Sequence, residues 1–218
     1  MGIQLSQPNE EWNKSLFAVI LCAGEGVRLQ ELTRKTPKPL IKIKSLQNKS
    51  ILHYTIDLLI RLSVNKIAIV KGYLAKQIDD FIARLKQDDA ELKSILHVID
   101  ATDDYKLGPL YSFLSFTKNK QLYQENYLYF IIPGDTIFQE ALFNEIFLFM
   151  QDYLPLIQNN PLIFFRKIRK GFYKQGNQSK VISVADIEKE DKQNFLKRIE
   201  QIKVSEIPSS ETINQIQR

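Results

Sequence analysis

Cysteine is nearly absent from this chain. Cys22 stands alone, so no intramolecular disulfide can form, and a reducing compartment is the natural setting. Long apolar runs are missing as well: none approaches the roughly 20 residues that span a bilayer. Residues 1–15 are polar and lack the apolar centre of a secretory signal, so they read as a loose tail. Together these absences give an expected cytoplasmic location with no membrane partner. Lys and Arg outnumber Asp and Glu by 30 to 25, but they are scattered instead of massed in one run. That pattern suits a small anionic partner and argues against nucleic acid. With 44% hydrophobic and 25% charged residues over 218 positions, the chain can bury a core without staples.

The apolar pattern alternates between two periods. Residues 16–22, Leu-Phe-Ala-Val-Ile-Leu-Cys, are continuously apolar and too few for a helix, which predicts a strand buried on both faces. After Ser50, a candidate N-cap, the apolar positions Ile51, Leu52, Ile56, Leu58, Leu59 and Leu62 predict a helix. Strands are predicted at 66–70, 95–99 and 127–132, and helices at 75–85, 110–116 and 139–150. Strand and helix in alternation imply an α/β fold: a mostly parallel central sheet, right-handed crossovers and helices on both faces. Ligands of such sheets bind outside the carboxyl ends of the strands. Beyond residue 150 the pattern loosens. Segments 162–165 and 180–187 read as strands, 195–204 as a strand or a short helix, and 205–218 as a polar tail. The expected division is a tail (1–15), one domain (16–204, its nucleotide-binding part about 16–150) and a second tail.

Chemistry-bearing residues follow the strands. Leu21-Cys-Ala-Gly-Glu-Gly-Val-Arg28 runs a strand into Gly24 and Gly26, whose backbone N–H groups can approach an anion closely. Arg28 can add a fork of donors to a phosphate. Lys38, between two prolines, has a backbone with little freedom to lose. Position 29 is Leu, so the loop is not the dinucleotide fingerprint, and no Gly-Lys-Ser/Thr follows, so it is not a P-loop. Residues 130–135, Phe-Ile-Ile-Pro-Gly-Asp, end an apolar strand in Asp135. That residue is either a carboxylate aimed at the crevice or a cap for the next helix.

Ala23-Gly-Glu-Gly-Val-Arg28, Thr33 and Pro37-Lys-Pro-Leu40 together resemble the signature of the sugar-phosphate nucleotidyltransferases, over residues 16–150. The resemblance implies that Leu21, Ala23, Gly24, Glu25 and Gly26 line the nucleotide phosphates. Arg28 would neutralise the departing pyrophosphate and Lys38 would meet the transferred or the acceptor phosphate. Asp135 would hold Mg²⁺, and Gly108 would lie against the base. The reaction implied is transfer of a nucleotidyl group from a nucleoside triphosphate to a small phosphorylated acceptor, a sugar 1-phosphate first, with release of pyrophosphate. The turn Leu107-Gly-Pro-Leu110 departs from the sugar-type pattern and keeps open a guanylyltransferase of cofactor biosynthesis or an alcohol-phosphate cytidylyltransferase. A non-catalytic scaffold of the same fold is the remaining alternative. Gly72, Cys22, His53 and His97 are expected to be structural, and Asp186 to be a surface-loop residue more than a second metal ligand. The apolar helices allow a homo-oligomer.

Overall fold

A computed structural model describes residues 15–29, 31–152, 181–190 and 193–203. The chain divides into two units, Met1–Asn160 and Pro161–Arg218.

In the first unit, β1 (Leu16–Leu21), β2 (Ile67–Lys71), β3 (Leu96–Asp100) and β4 (Leu128–Pro133) form one sheet in the order β3-β2-β1-β4. Every pairing is parallel, with Ala18 opposite Ile67, Leu16 opposite Leu128 and Ile67 opposite Leu96. Strand β1 is flanked on both sides, and its first five residues are buried whichever way they point. A strand covered on both faces needs no polar alternation, which is why the run at 16–22 is apolar throughout.

Among the described residues, five helices lie between these strands, α1 (Glu31–Lys35), α2 (Ile51–Arg61), α3 (Ala75–Asp88), α4 (Leu92–Ile95) and α5 (Pro109–Thr117), and α6 (Glu140–Asp152) follows β4. Side-chain parity assigns two of them to opposite faces. Phe17 and Tyr129 are register partners on one face, and Phe116 of α5 meets both rings at 5.4 and 5.5 Å. Ala18 and Phe130 are partners on the other face, where Phe143 and Phe147 of α6 meet Phe130 at 5.7 and 5.6 Å. The parallel sheet with helices on both faces is as expected.

The predicted helix after Ser50 is α2. The Ser50 hydroxyl accepts from the His53 backbone N–H at 3.2 Å, and all six apolar positions read from the sequence are buried. Helix α5 is built the other way round. Ser112, Ser115 and Phe116 are buried, while Leu110, Tyr111 and Leu114 are exposed. Both serines are satisfied locally: Ser112 donates to the Gly108 carbonyl at 3.4 Å, and Ser115 to the Tyr111 carbonyl and the Asp104 carboxylate, each at 3.1 Å. No described helix is long and apolar enough to cross a membrane.

In the second unit, β5 (Val181–Glu190) and β6 (Gln193–Lys203) pair antiparallel, with an irregularity between Asp186 and Ile187. The choice between strand and short helix at 195–204 resolves to a strand. Asp186 lies within β5 opposite Arg198, which corrects its reading as a loop residue. The hairpin gives 187 and its neighbours a strand partner that the local sequence does not reveal. The expected strand at 162–165 and both tails, apart from Ser15, lie outside the described residues.

Candidate active site

The four strands of the first unit end side by side, and backbone hydrogen bonds lace their loops together. Cys22 N–H donates to the Val70 carbonyl at 2.8 Å, and Gly134 N–H to the Leu21 carbonyl at 2.9 Å. Tyr73 N–H donates to the Ala23 carbonyl and Ala101 N–H to the Lys71 carbonyl, both at 2.9 Å. The loop after β1 is therefore tied to both neighbouring strand ends before it leaves the sheet.

Leu21 is half-buried and Ala23 is buried. Gly24 and Glu25 are exposed, and a Cβ on Gly24 would meet nothing within 4 Å. Gly26 has φ +66°, the left-handed region that favours glycine, and a Cβ there would sit 2.9 Å from Thr33 Cγ2. Its carbonyl accepts from Leu29 N–H at 2.9 Å and from the Thr33 hydroxyl at 3.0 Å. Thr33, on α1, thus fixes the turn from outside it. Arg28 lies in the single 3-10 turn Val27–Leu29; its side chain lies outside what is described.

Lys38 opens a second such turn, Lys38–Leu40, between Pro37 and the buried Pro39. Lys38 Nζ stands 2.6 Å from Asp135 Oδ2, across 97 residues of chain. Lys38 Cβ also lies within 3.4 Å of the space a Gly26 side chain would occupy. The glycine turn, the ammonium and the carboxylate share one corner of the sheet's carboxyl edge. Asp135 does not cap the next helix, since α6 begins five residues later at Glu140. Gly134 cannot carry a side chain, because a Cβ would meet Cys22 Sγ at 2.6 Å and the Leu21 carbonyl oxygen at 2.7 Å. On the far side, Gly108 has φ +116° with open space over its Cα. It ends the turn Asp104–Leu107 and begins α5.

The donor set suits Mg²⁺ arriving with phosphate oxygens. The Asp135 side chain is 43% exposed, and no trio of His, Cys, Asp or Glu gathers anywhere among the described residues. One carboxylate completed by phosphate and water is ordinary for this ion.

Several other titratable groups lie in the core or in ion pairs. Burial, with the Asp135 charge adding, pushes the Cys22 thiol far above its usual range, so it stays protonated and packs the core. Burial, then the charges of Lys86 and Lys66, holds His97 below its ordinary value, and its ring packs against Phe17 at 6.1 Å. His53 faces the Asp57 carboxylate at 3.5 Å. Lys71 ends β2 between Asp79 at 2.6 Å and Asp100 at 3.4 Å. Burial lowers its affinity for the proton, but the two carboxylates more than offset this and hold the ammonium above its ordinary value.

Two features escaped the sequence reading. The bond from Thr33 to the glycine turn is a tertiary contact with no periodic signature. Tyr105 is the other: its ring lies against Gly72, where a Cβ would be 2.6 Å from Cδ1.

A family model described as nucleotidyl transferase matches residues 17–154. The chain is 40% identical over 62 residues to choline-phosphate cytidylyltransferase of Streptococcus pneumoniae, covering 28% of this chain and 26% of that protein. It is 40% identical over 65 residues to CTP:phosphoglutamine cytidylyltransferase of Campylobacter jejuni, covering 30% and 24%. A longer match, 30% identical over 125 residues, is to bifunctional protein GlmU of Methanococcus maripaludis, covering 57% and 26%. The chain thus spans about a quarter of each of these relatives.

Proposed function

The chain belongs to the nucleotidyl transferase family, and from that premise we propose that it transfers a nucleotidyl group from a nucleoside triphosphate to a small phosphorylated acceptor. The observation that carries this reading is the pairing of Lys38 with Asp135 at 2.6 Å beside the left-handed Gly26 turn. That arrangement sets an ammonium, a carboxylate and an open glycine backbone at one point, which is what a triphosphate with its metal requires.

In the proposed reaction an acceptor phosphate oxygen attacks the α-phosphorus. The bond from that phosphorus to the bridging oxygen breaks, and pyrophosphate leaves with the electron pair. A phosphate monoester, with a second pKa of about 6, is ionised at neutral pH and needs no general base. This agrees with the structural placing of both histidines. Backbone N–H groups of 24–26 receive the phosphates, Arg28 neutralises the departing pyrophosphate, and Lys38 meets the transferred or the acceptor phosphate. Gly108, with no side chain over it, receives the base. Asp135 would hold Mg²⁺, which supplies neutralisation of the phosphate charge. Rate then comes from positioning and electrostatics.

The two short, 40%-identical matches are to cytidylyltransferases, so CTP is the proposed donor. A phosphorylated amino alcohol or amino acid derivative is preferred over a sugar 1-phosphate as acceptor. Pyrophosphate release, measured for each nucleoside triphosphate against phosphocholine, phosphoglutamine and sugar 1-phosphates, tests this. Release that requires CTP and one of the first two acceptors is the expected result. Release confined to a sugar 1-phosphate would restore the sugar-type reading. Triphosphate binding with no release from any pair would leave a binding subunit.

A further inference from the structure

Tyr105 lies outside every motif of the glycine loop, yet it touches both that loop and the Gly108 turn. A Cβ on Gly72 would be 2.6 Å from Tyr105 Cδ1, 2.8 Å from its Cγ and 2.8 Å from Ala23 Cβ. The ring therefore lies flush on the Gly72 backbone, beside the first residue of the glycine loop. It packs with the core cluster that contains Phe17, Ala23 and Ala101. On the other side the Tyr105 carbonyl accepts from Gly108 N–H at 3.1 Å. One residue thus touches the wall of the phosphate loop with its side chain and the Gly108 turn with its backbone.

The segment that carries Tyr105 is tied at both ends. Thr102 has φ +48°, unfavourable for a β-branched residue. Its N–H donates to the Asp100 carboxylate at 2.7 Å, which holds it there. Asp104 accepts from Lys118 at 2.6 Å and from Ser115 at 3.1 Å, fastening the turn to α5. A strained backbone that its surroundings over-determine is characteristic of a segment whose position matters. No described residue hydrogen-bonds the Tyr105 hydroxyl, so the ring carries the contact.

We propose that Tyr105 is a positioning residue for the nucleotide: its ring sets the gap between the phosphate-binding loop and the Gly108 turn, and so the span a nucleoside triphosphate must bridge. The inference rests on the proposed function for the identity of the ligand. It separates from that function in one measurable respect. Inorganic triphosphate needs the loop alone, whereas CTP needs the loop and the turn at the right spacing.

The test is equilibrium binding by calorimetry of both CTP and inorganic triphosphate to the full chain, with a thermal melt for each variant. Tyr105→Ala is expected to weaken CTP by about tenfold or more, a loss of about 1.4 kcal/mol in binding. Inorganic triphosphate should bind within about twofold of wild type. Tyr105→Phe should behave as wild type for both ligands. Tyr105→Leu, which keeps an apolar side chain in the core but not the flat ring, should lose CTP selectively in the same way and covers the case in which Tyr105→Ala fails to fold. Equal weakening of both ligands, or a lower melting temperature with unchanged CTP affinity, would reduce Tyr105 to a packing residue. A loss in Tyr105→Phe as large as in Tyr105→Ala would move the role to the hydroxyl. Wild-type protein that binds inorganic triphosphate but not CTP would overturn the inference, and binding of neither would overturn the functional reading beneath it.

Discussion

At the scale of single residues, the site separates chemistry from stability. Lys38 and Asp135 are paired, but their side chains are 27% and 43% exposed, and ion pairs this open to water contribute about 0–1 kcal/mol to folding. Lys38→Ala should therefore leave the melting temperature within a few degrees of wild type. Turnover should fall by about 10²–10³, the usual effect of removing one preorganised group. Wild-type turnover in Lys38→Ala would remove that residue from the mechanism. The residues of the glycine loop, Lys38 and Asp135 were legible in the sequence because short polar and glycine motifs directly follow apolar strands. Thr33 was legible as a motif member but not as the group that locks Gly26. Tyr105 was not legible, since an aromatic in the polar stretch Asp103-Asp-Tyr-Lys106 has no periodic partners. Its significance appears only when Gly72 is brought beside it.

At the scale of elements, the two helices α2 and α5 show where periodicity suffices and where it misleads. In α2 the apolar stripe and the buried stripe coincide, and Ser50 satisfies a first-turn donor. Ser50→Ala should destabilise the protein by about 1 kcal/mol, read as a shift in urea midpoint at unchanged slope; no shift would mean the cap bond contributes nothing. In α5 burial runs against hydrophobicity, so its polar-to-apolar pattern says little about its orientation. Leu114→Gln should change stability by less than about 0.5 kcal/mol. Phe116→Ala, in the same helix but wedged against Phe17 and Tyr129, should cost about 3–5 kcal/mol. Comparable losses in the two variants would contradict the burial assignment. The elements missed from sequence, namely α1, α4 and four 3-10 turns, are three to five residues long. A segment of one turn buries too little to impose a pattern.

At the scale of the molecule, four loops at one edge of a parallel sheet bring together residues from positions 23 to 135. The alternation of strands and helices was enough to anticipate that convergence. The β5–β6 hairpin was only half anticipated, because one of its two strands read equally as a helix. Stability should also carry a pH signature from His97. Its proton affinity is lowered in the fold by burial and by Lys86 and Lys66. The unfolded chain therefore binds the proton more readily, and stability falls as pH drops below the ordinary histidine value of about 6.5. The urea midpoint is expected to decline between pH 7 and 5 in wild type and to decline less in His97→Gln. Identical pH profiles would show that His97 does not titrate differently on folding.

The most direct test of the central claim is pyrophosphate release from CTP and a phosphorylated acceptor, titrated with Mg²⁺, in wild type and in Asp135→Asn. The expected result is release that requires Mg²⁺ and falls by about 10² or more in the variant at every Mg²⁺ concentration, with both proteins folded alike by circular dichroism. Equal release from the two proteins, or release in wild type without a divalent cation, would contradict a metal-assisted transfer site built on Asp135.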